Sequence, residues 1–104
     1  MAAIKRSSIK SNKLRLSANG QECTMQVAGV CNYRTDTTVL AHINVDGGKM
    51  GSKTDDISAC FCCSDCHAWL DQHKGSELDE LFYTRRAIIR TQLIWVQMGL
   101  MVIK

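Results

Sequence analysis

The sequence has no proline, no internal repeat and no low-complexity stretch among its 104 residues. Nothing marks a linker, and a chain of this length fits one domain better than two. No apolar run approaches the roughly 18 residues of a membrane span, so a membrane-spanning helix is excluded and no membrane partner is expected. The opening Met-Ala-Ala-Ile-Lys-Arg-Ser-Ser-Ile-Lys is charged and lacks a following apolar stretch. A secretory signal is therefore not expected, and the expected compartment is the cytoplasm, where thiols stay reduced. Aromatic residues are sparse at 6%, yet apolar residues reach 45%, which argues against wholesale disorder. A domain this small still leaves about a third of its unfolded-chain surface exposed. Its core is modest, and a metal or disulfide staple would help.

Acid is absent from residues 1–21, which carry Lys5, Arg6, Lys10, Lys13 and Arg15. The formal net charge is +3, so removing these five leaves the remainder at −2. A basic N-terminal arm over residues 1–20, ahead of a near-neutral domain over 21–104, suits contact with a nucleic-acid backbone. A solvated terminus is the plainer alternative.

Six cysteines are present. They could form three disulfides, but clustered Cys beside His in an intracellular protein favours metal. Cys63-Ser-Asp-Cys66 is a C-x-x-C at an expected strand-to-helix junction, where the helix N-terminus favours thiolate charge. A tetrahedral zinc needs two more ligands. Cys23 and Cys31 are the natural second pair, although their seven-residue gap exceeds the usual two to four. Cys60-Phe-Cys-Cys63 is a second C-x-x-C, so Cys60 or Cys62 could substitute. Strand alternation turns those two to one side together, and buried Cys behaves as a small hydrophobe, which reads them as core. Four thiolates leave no open position, so the zinc would be structural.

Asn19-Gly20 signals a turn. Thr37 to Val45 is rich in β-branched residues and reads as a strand; Ile57 to Phe61 reads as a short returning strand. Between them lies a loop with Gly47, Gly48 and Gly51, on which Lys49 and Lys53 could contact phosphates or simply be solvated. From Ser64 the pattern is helical, with Ser64 as cap, Asp65 in the first turn and Gly75 as the end. Ser76 with Asp79 resembles a capping box opening a longer helix over about residues 77–98, with Gly99 as its stop. Leu78, Phe82, Ile89, Leu93 and Val96 fall on one face, with Leu81, Ile88 and Trp95 beside them; Asp79, Glu80, Arg90 and Thr91 fall on the other. The apolar stripe is expected to be core, with a homodimer contact through this helix as the alternative. The composite reading is a small α+β domain.

His42 lies in the first strand, and His67 directly follows Cys66. Asp71, four residues after His67, shares its helix face; His73, six residues after, does not unless the helix has ended. Each His alone fits a surface or core role. Three beside a Cys knuckle and its hairpin point toward a second, catalytic metal site.

A Cys pair, a hairpin strand carrying His, a long loop and Cys-x-x-Cys-His opening a helix together resemble a zinc-containing HNH endonuclease, of ββα-metal, treble-clef-like fold. More closely, Cys-Thr-Met-Gln-Val-Ala-Gly-Val-Cys-Asn, then Thr-Thr-Val-Leu-Ala-His-Ile, then Cys-Ser-Asp-Cys-His resembles the YbcO-like family of prophage-encoded nucleases, as does the late Arg-Thr-Gln-Leu-Ile-Trp; the likeness spans roughly residues 10–100. The resemblance implies a metal-dependent endonuclease hydrolysing phosphodiester bonds, with double-stranded DNA as partner. It implies His42 as general base and His67 as a ligand of the catalytic divalent ion, Mg²⁺ or another. It implies Cys23, Cys31, Cys63 and Cys66 as structural zinc ligands. The HNH central Asn has no clear counterpart; Asp56 stands nearest and could orient His42 or bind the metal. Ala41 occupies the place of the usual metal-binding residue before the base, so a further ligand must come from elsewhere, Asp71 first and His73 second. Imidazole near neutral pKa suits water activation, and a hard cation held by His and carboxylate suits the phosphoryl charge. The alternative reading is a zinc-stapled nucleic-acid or protein binding module without catalysis. A C-x-x-C redox protein is weaker, for want of a βαβ context.

Overall fold

A computed structural model describes residues 9–43 and 55–104. Lys49, Lys53 and the glycines between the strands lie outside the described residues, as do Lys5 and Arg6. The described elements are α1 (Asn12–Ser17), a 3-10 turn (Thr35–Thr37), β1 (Val39–His42), β2 (Ala59–Cys62), α2 (Ser64–Asp71) and α3 (Glu77–Gln97). No helix among the described residues is long and apolar enough to cross a membrane.

β1 and β2 form an antiparallel pair, with Val39 opposite Cys62, Leu40 opposite Phe61, Ala41 opposite Cys60 and His42 opposite Ala59. Both strands are shorter than the sequence pattern suggests. β2 is buried along its whole length, because its two faces serve two different cores. Side chains alternate across a strand. Cys60 and Cys62 therefore point together into a core with Met25, Val27, Trp69 and Ala87, as alternation predicts. Phe61 points the other way and meets Leu14, Ala18 and Trp95. Phe61 and Trp95 pack edge to face at 6.0 Å, and the Trp95 Nε1–H donates to Ser17 Oγ at 2.7 Å. The basic stretch before residue 21 thus carries a helix that docks on the core. Arg15 and Lys13 make it read as solvated, but Leu14 and Ala18 anchor it.

α3 runs along β2, and the side it buries is not the apolar stripe. Thr84, Ala87, Thr91 and Trp95 are its buried residues. Leu78, Leu81, Phe82, Ile89, Leu93 and Val96 are exposed, Leu78 at 79% and Leu93 at 60%. The physical reason is hydrogen bonding. The Phe61 N–H donates to Thr91 Oγ1 at 3.2 Å, and Thr24 and Thr91 hydroxyls lie 2.9 Å apart. Thr24 also donates through its amide to the Phe61 carbonyl at 2.8 Å. An edge strand this deeply buried leaves its backbone groups with no water, so a Thr on the facing helix is worth more there than a Leu.

The helix ends follow local chemistry. Ser76 Oγ accepts from the Asp79 N–H at 3.1 Å, with Glu77, Asp79 and Glu80 in the first turn. Gly99, at φ +76, closes α3, with the Leu100 amide reaching the Trp95 carbonyl at 2.9 Å. α2 differs from expectation at both ends. Its cap is Cys63, whose Sγ accepts from the Cys66 N–H at 3.4 Å, and Ser64 is the first helical residue. It closes with His73 left-handed at φ +50, the Lys74 amide bonding the Trp69 carbonyl at 3.1 Å. Gly75 has another role: a Cβ there would sit 2.1 Å from the Trp69 ring.

Two variants test which side of α3 is core. Thr91→Val should destabilise the fold by about 1–3 kcal/mol, by stranding the Phe61 N–H. Leu93→Ala, on the outer face, should stay within about 0.5 kcal/mol. Chemical denaturation of dilute protein checks both.

Candidate metal centre and adjoining cleft

Four sulfurs converge where the chain's two halves meet. Cys23 follows the α1 turn. Cys31 closes a tight bend in which the Val30 and Cys31 amides both donate to the Val27 carbonyl at 3.0 Å. Cys63 ends the hairpin and Cys66 sits in the first turn of α2. The four Sγ atoms all lie within 4.8 Å of one another, and Cys31 and Cys63 are 3.8 Å apart. A tetrahedral zinc with Zn–S near 2.3 Å sets its sulfurs about 3.8 Å apart, so the donor set fits that ion. Amides point at the sulfurs as well, Gln26 N–H at Cys23 (3.5 Å) and Cys66 N–H at Cys63 (3.4 Å). Hydrogen bonds from the Cys62 and Cys66 thiols hold Cys23 far below the usual thiol range. Those donors are pushed up correspondingly, and burial raises Cys31 to about 11. A thiol ligates an ion as the thiolate, so binding at this group is coupled to proton release. Cys60 and Cys62 stay outside this group; Cys62 packs its sulfur 3.4 Å from that of Met25.

His42 ends β1 with its ring about one-third exposed and its Nε2 2.7 Å from Asp56 Oδ1. Asp56 is fully buried. Its Oδ2 accepts from the Ser11 N–H at 2.6 Å and from Arg15 Nε at 3.0 Å. Burial pushes this carboxyl up, but His42, the Ser11 amide and Arg15 outweigh it and hold Asp56 below the usual carboxylate range. The neighbouring Asp55 accepts from the Ile9 amide at 2.6 Å, so the stretch before α1 is clipped to this carboxylate pair.

Beyond His42 opens a cleft bounded by Asp71, His73, Glu77 and Glu80, with Ile43, Leu70 and Leu81 on its walls. The His73 Nδ1 lies 3.1 Å from both oxygens of Glu80. His67 is one turn before Asp71 on α2, its Nε2 3.5 Å from Asp71 Oδ2, and it does not line this cleft. His67, Asp71 and His73 therefore do not gather as one ligand set; among the described residues only the four cysteines do. In the sequence Arg15 reads as part of the basic arm and Glu80 as the polar face of α3, and nothing marks either of them, Ser11 or Glu77 for this site. The acidic first turn of α3 directly after His73 was the available signal for the two glutamates, while nothing local to Arg15 points across 41 residues to Asp56.

The hairpin, α2 and the four convergent sulfurs define a small α+β protein with a zinc-compatible centre and a histidine–carboxylate cleft. Residues 12–100 match the family model described as "Putative nuclease YbcO", and the chain belongs to that family. A relative of that description from Escherichia coli is 36% identical over 91 residues, covering 83% of this chain and 93% of the relative. One from Enterobacteria phage 82 gives the same figures, 36% over 91 residues. A solved structure described as a "putative bacteriophage protein" of Escherichia coli superposes with a TM-score of 0.63 at 32% identity, covering 84% of this chain and all of that one (100%).

Metal removal should unfold the hairpin–α2 corner. A strong chelator is expected to release zinc at one per chain and lower the melting temperature; Cys63→Ser should lose the metal, while Cys60→Ser should keep it, as metal analysis would show. Asp56 gives a pH signature. Its folded pKa lies below the unfolded value of about 4, so its contribution is present above that value and is lost as pH falls through the folded one. Melting curves of wild type and Asp56→Asn should therefore converge in acid and diverge near neutrality.

Proposed function

We propose that this protein is an HNH-type, ββα-metal endonuclease that hydrolyses phosphodiester bonds in double-stranded DNA. The observation that carries the reading is the His42–Asp56 pair at the mouth of an acid-lined cleft, on a hairpin joined to α2 by four cysteines. The nuclease description of the family and its relatives supports it.

Asp56 accepts the Nε2–H of His42, which leaves Nδ1 as the basic lone pair. That nitrogen takes a proton from water as the water attacks phosphorus; the bond from phosphorus to one sugar oxygen breaks, the departing oxygen takes a proton from solvent, and the imidazolium is stabilised by the buried carboxylate until it releases its proton. Asp56 thus fills the orienting place for which no Asn stands in the sequence. A divalent ion such as Mg²⁺ would supply charge neutralisation at the scissile phosphate. Asp71 would hold it, with His67 or His73 turning toward it. Lys49 and Lys53 are assigned backbone-phosphate contacts. The cysteine-bound zinc is structural, and the site of action is the cytoplasm.

The separation of His67 from the cleft favours the second reading, a zinc-stapled binding module without catalysis. Plasmid cleavage by zinc-loaded protein with Mg²⁺ or Mn²⁺ decides between them. His42→Ala should lower the cleavage rate about 10²–10⁴-fold with zinc content and melting temperature unchanged. Wild-type protein that binds but never cuts would establish the binding module instead.

A further inference from the structure

We propose that Arg15 is the phosphate-binding residue of this site, gripping a phosphodiester of duplex DNA beside His42. This rests on the nucleic-acid reading of the cleft, though not on cleavage. One carboxylate is shared by two side chains. Asp56 accepts from the His42 Nε2 at Oδ1, 2.7 Å away, and from the Arg15 Nε at Oδ2, 3.0 Å away, which sets the imidazole and the guanidinium side by side. Asp56 is fully buried while the Arg15 side chain is 45% exposed, so the member of the pair that an anion can reach is the cation.

The bonding of Arg15 separates it from Arg34, Arg86 and Arg90. Arg34 spends Nε and Nη2 on the two oxygens of Asp36, at 3.1 and 2.6 Å. Arg86 and Arg90 donate to the carbonyls of Met25 and Thr24. Arg15 gives Asp56 its Nε alone, so the edge formed by Nη1 and Nη2 is not committed to that carboxylate. This edge is a planar fork that matches two oxygens of one phosphate. Charge calls for a cation at the same place. The cleft beyond His42 is lined by Asp71, Glu77 and Glu80 and, among the described residues, by no Lys or Arg; its His73 is paired with Glu80. A phosphodiester nearing His42 is repelled from that side, and Arg15 is the positive group tied to the carboxylate of His42 itself. The grip is pre-organised as well. The Ser11 N–H fixes Asp56 at 2.6 Å, and Leu14 and Ala18 anchor α1 in the core, so part of the ordering cost is met before DNA arrives.

Fluorescence anisotropy of the zinc-loaded chain with a labelled duplex, run without Mg²⁺ or Mn²⁺ across a KCl series, tests this. Arg15→Gln should weaken binding about tenfold and reduce the slope of log Kd against log salt by about one, as the loss of a single phosphate contact does. Lys13→Gln removes the same charge from the same helix and should leave that slope unchanged. Arg15→Lys keeps the charge but not the fork, and should bind several-fold more weakly at every salt concentration. Asp56→Asn removes an acid, which by net charge alone would tighten binding; it should loosen it instead, because the guanidinium is released. Equal losses for Arg15→Gln and Lys13→Gln overturn the proposal, and so does tighter binding by Asp56→Asn. Should Arg15→Gln lose zinc or melt early, Arg15→Lys decides, and wild-type affinity there overturns the fork. A wild type that does not bind duplex DNA at low salt overturns the nucleic-acid reading itself, whereas wild-type binding that Arg15→Gln leaves intact sinks the role of Arg15 alone.

Discussion

The convergence of four cysteine sulfurs is the constraint on which the rest of the molecule depends. It joins the loop after α1 to the hairpin and the hairpin to α2. Cys63 shows how tightly the functions are stacked. It ends β2, caps α2 through its sulfur and belongs to the metal group. A conventional Ser or Asp cap would have satisfied the helix but not the ion. An ion held at this point would substitute for hydrophobic contacts that a chain of 104 residues cannot supply in number.

The second organising contact is Asp56. A fully buried carboxylate is tolerable only when its oxygens are satisfied, and this one accepts from His42, the Ser11 amide and Arg15. The same bonds that make it tolerable give it consequences. They fasten α1 to the hairpin, and they fix the ring at the mouth of the cleft. The N-terminal segment therefore connects to the candidate site through a charge, while Leu14 and Ala18 connect it to the Phe61–Trp95 core through packing.

Much of this was legible in the sequence because it depends on short-range chemistry. The Cys-x-x-Cys knuckle, the shared direction of Cys60 and Cys62, and the Ser76 and Gly99 ends of α3 each follow from neighbouring residues, and Cys23 and Cys31 stand out as the second pair by residue type. What was illegible depends on partners far along the chain. Hydrophobic periodicity selects the stripe from Leu78 to Val96 as core, yet α3 turns Thr84, Ala87 and Thr91 inward because β2 has a backbone edge to satisfy. Counting apolar side chains cannot register that demand. Arg15 looks like part of a solvated basic arm until Asp56 is placed beside it. Gly75 looks like a helix stop, and only the Trp69 ring above it reveals why no larger residue fits.

His73 occupies the left-handed position that closes α2, where glycine is the usual choice and a residue with a Cβ costs on the order of 1 kcal/mol. Its imidazole faces Glu80 on the rim of the cleft. A selection for heat resistance alone would favour His73→Gly early, and the winners would be sturdier proteins that had traded away a cleft-lining side chain. Ruggedness and the chemistry of that rim pull this one position in opposite directions.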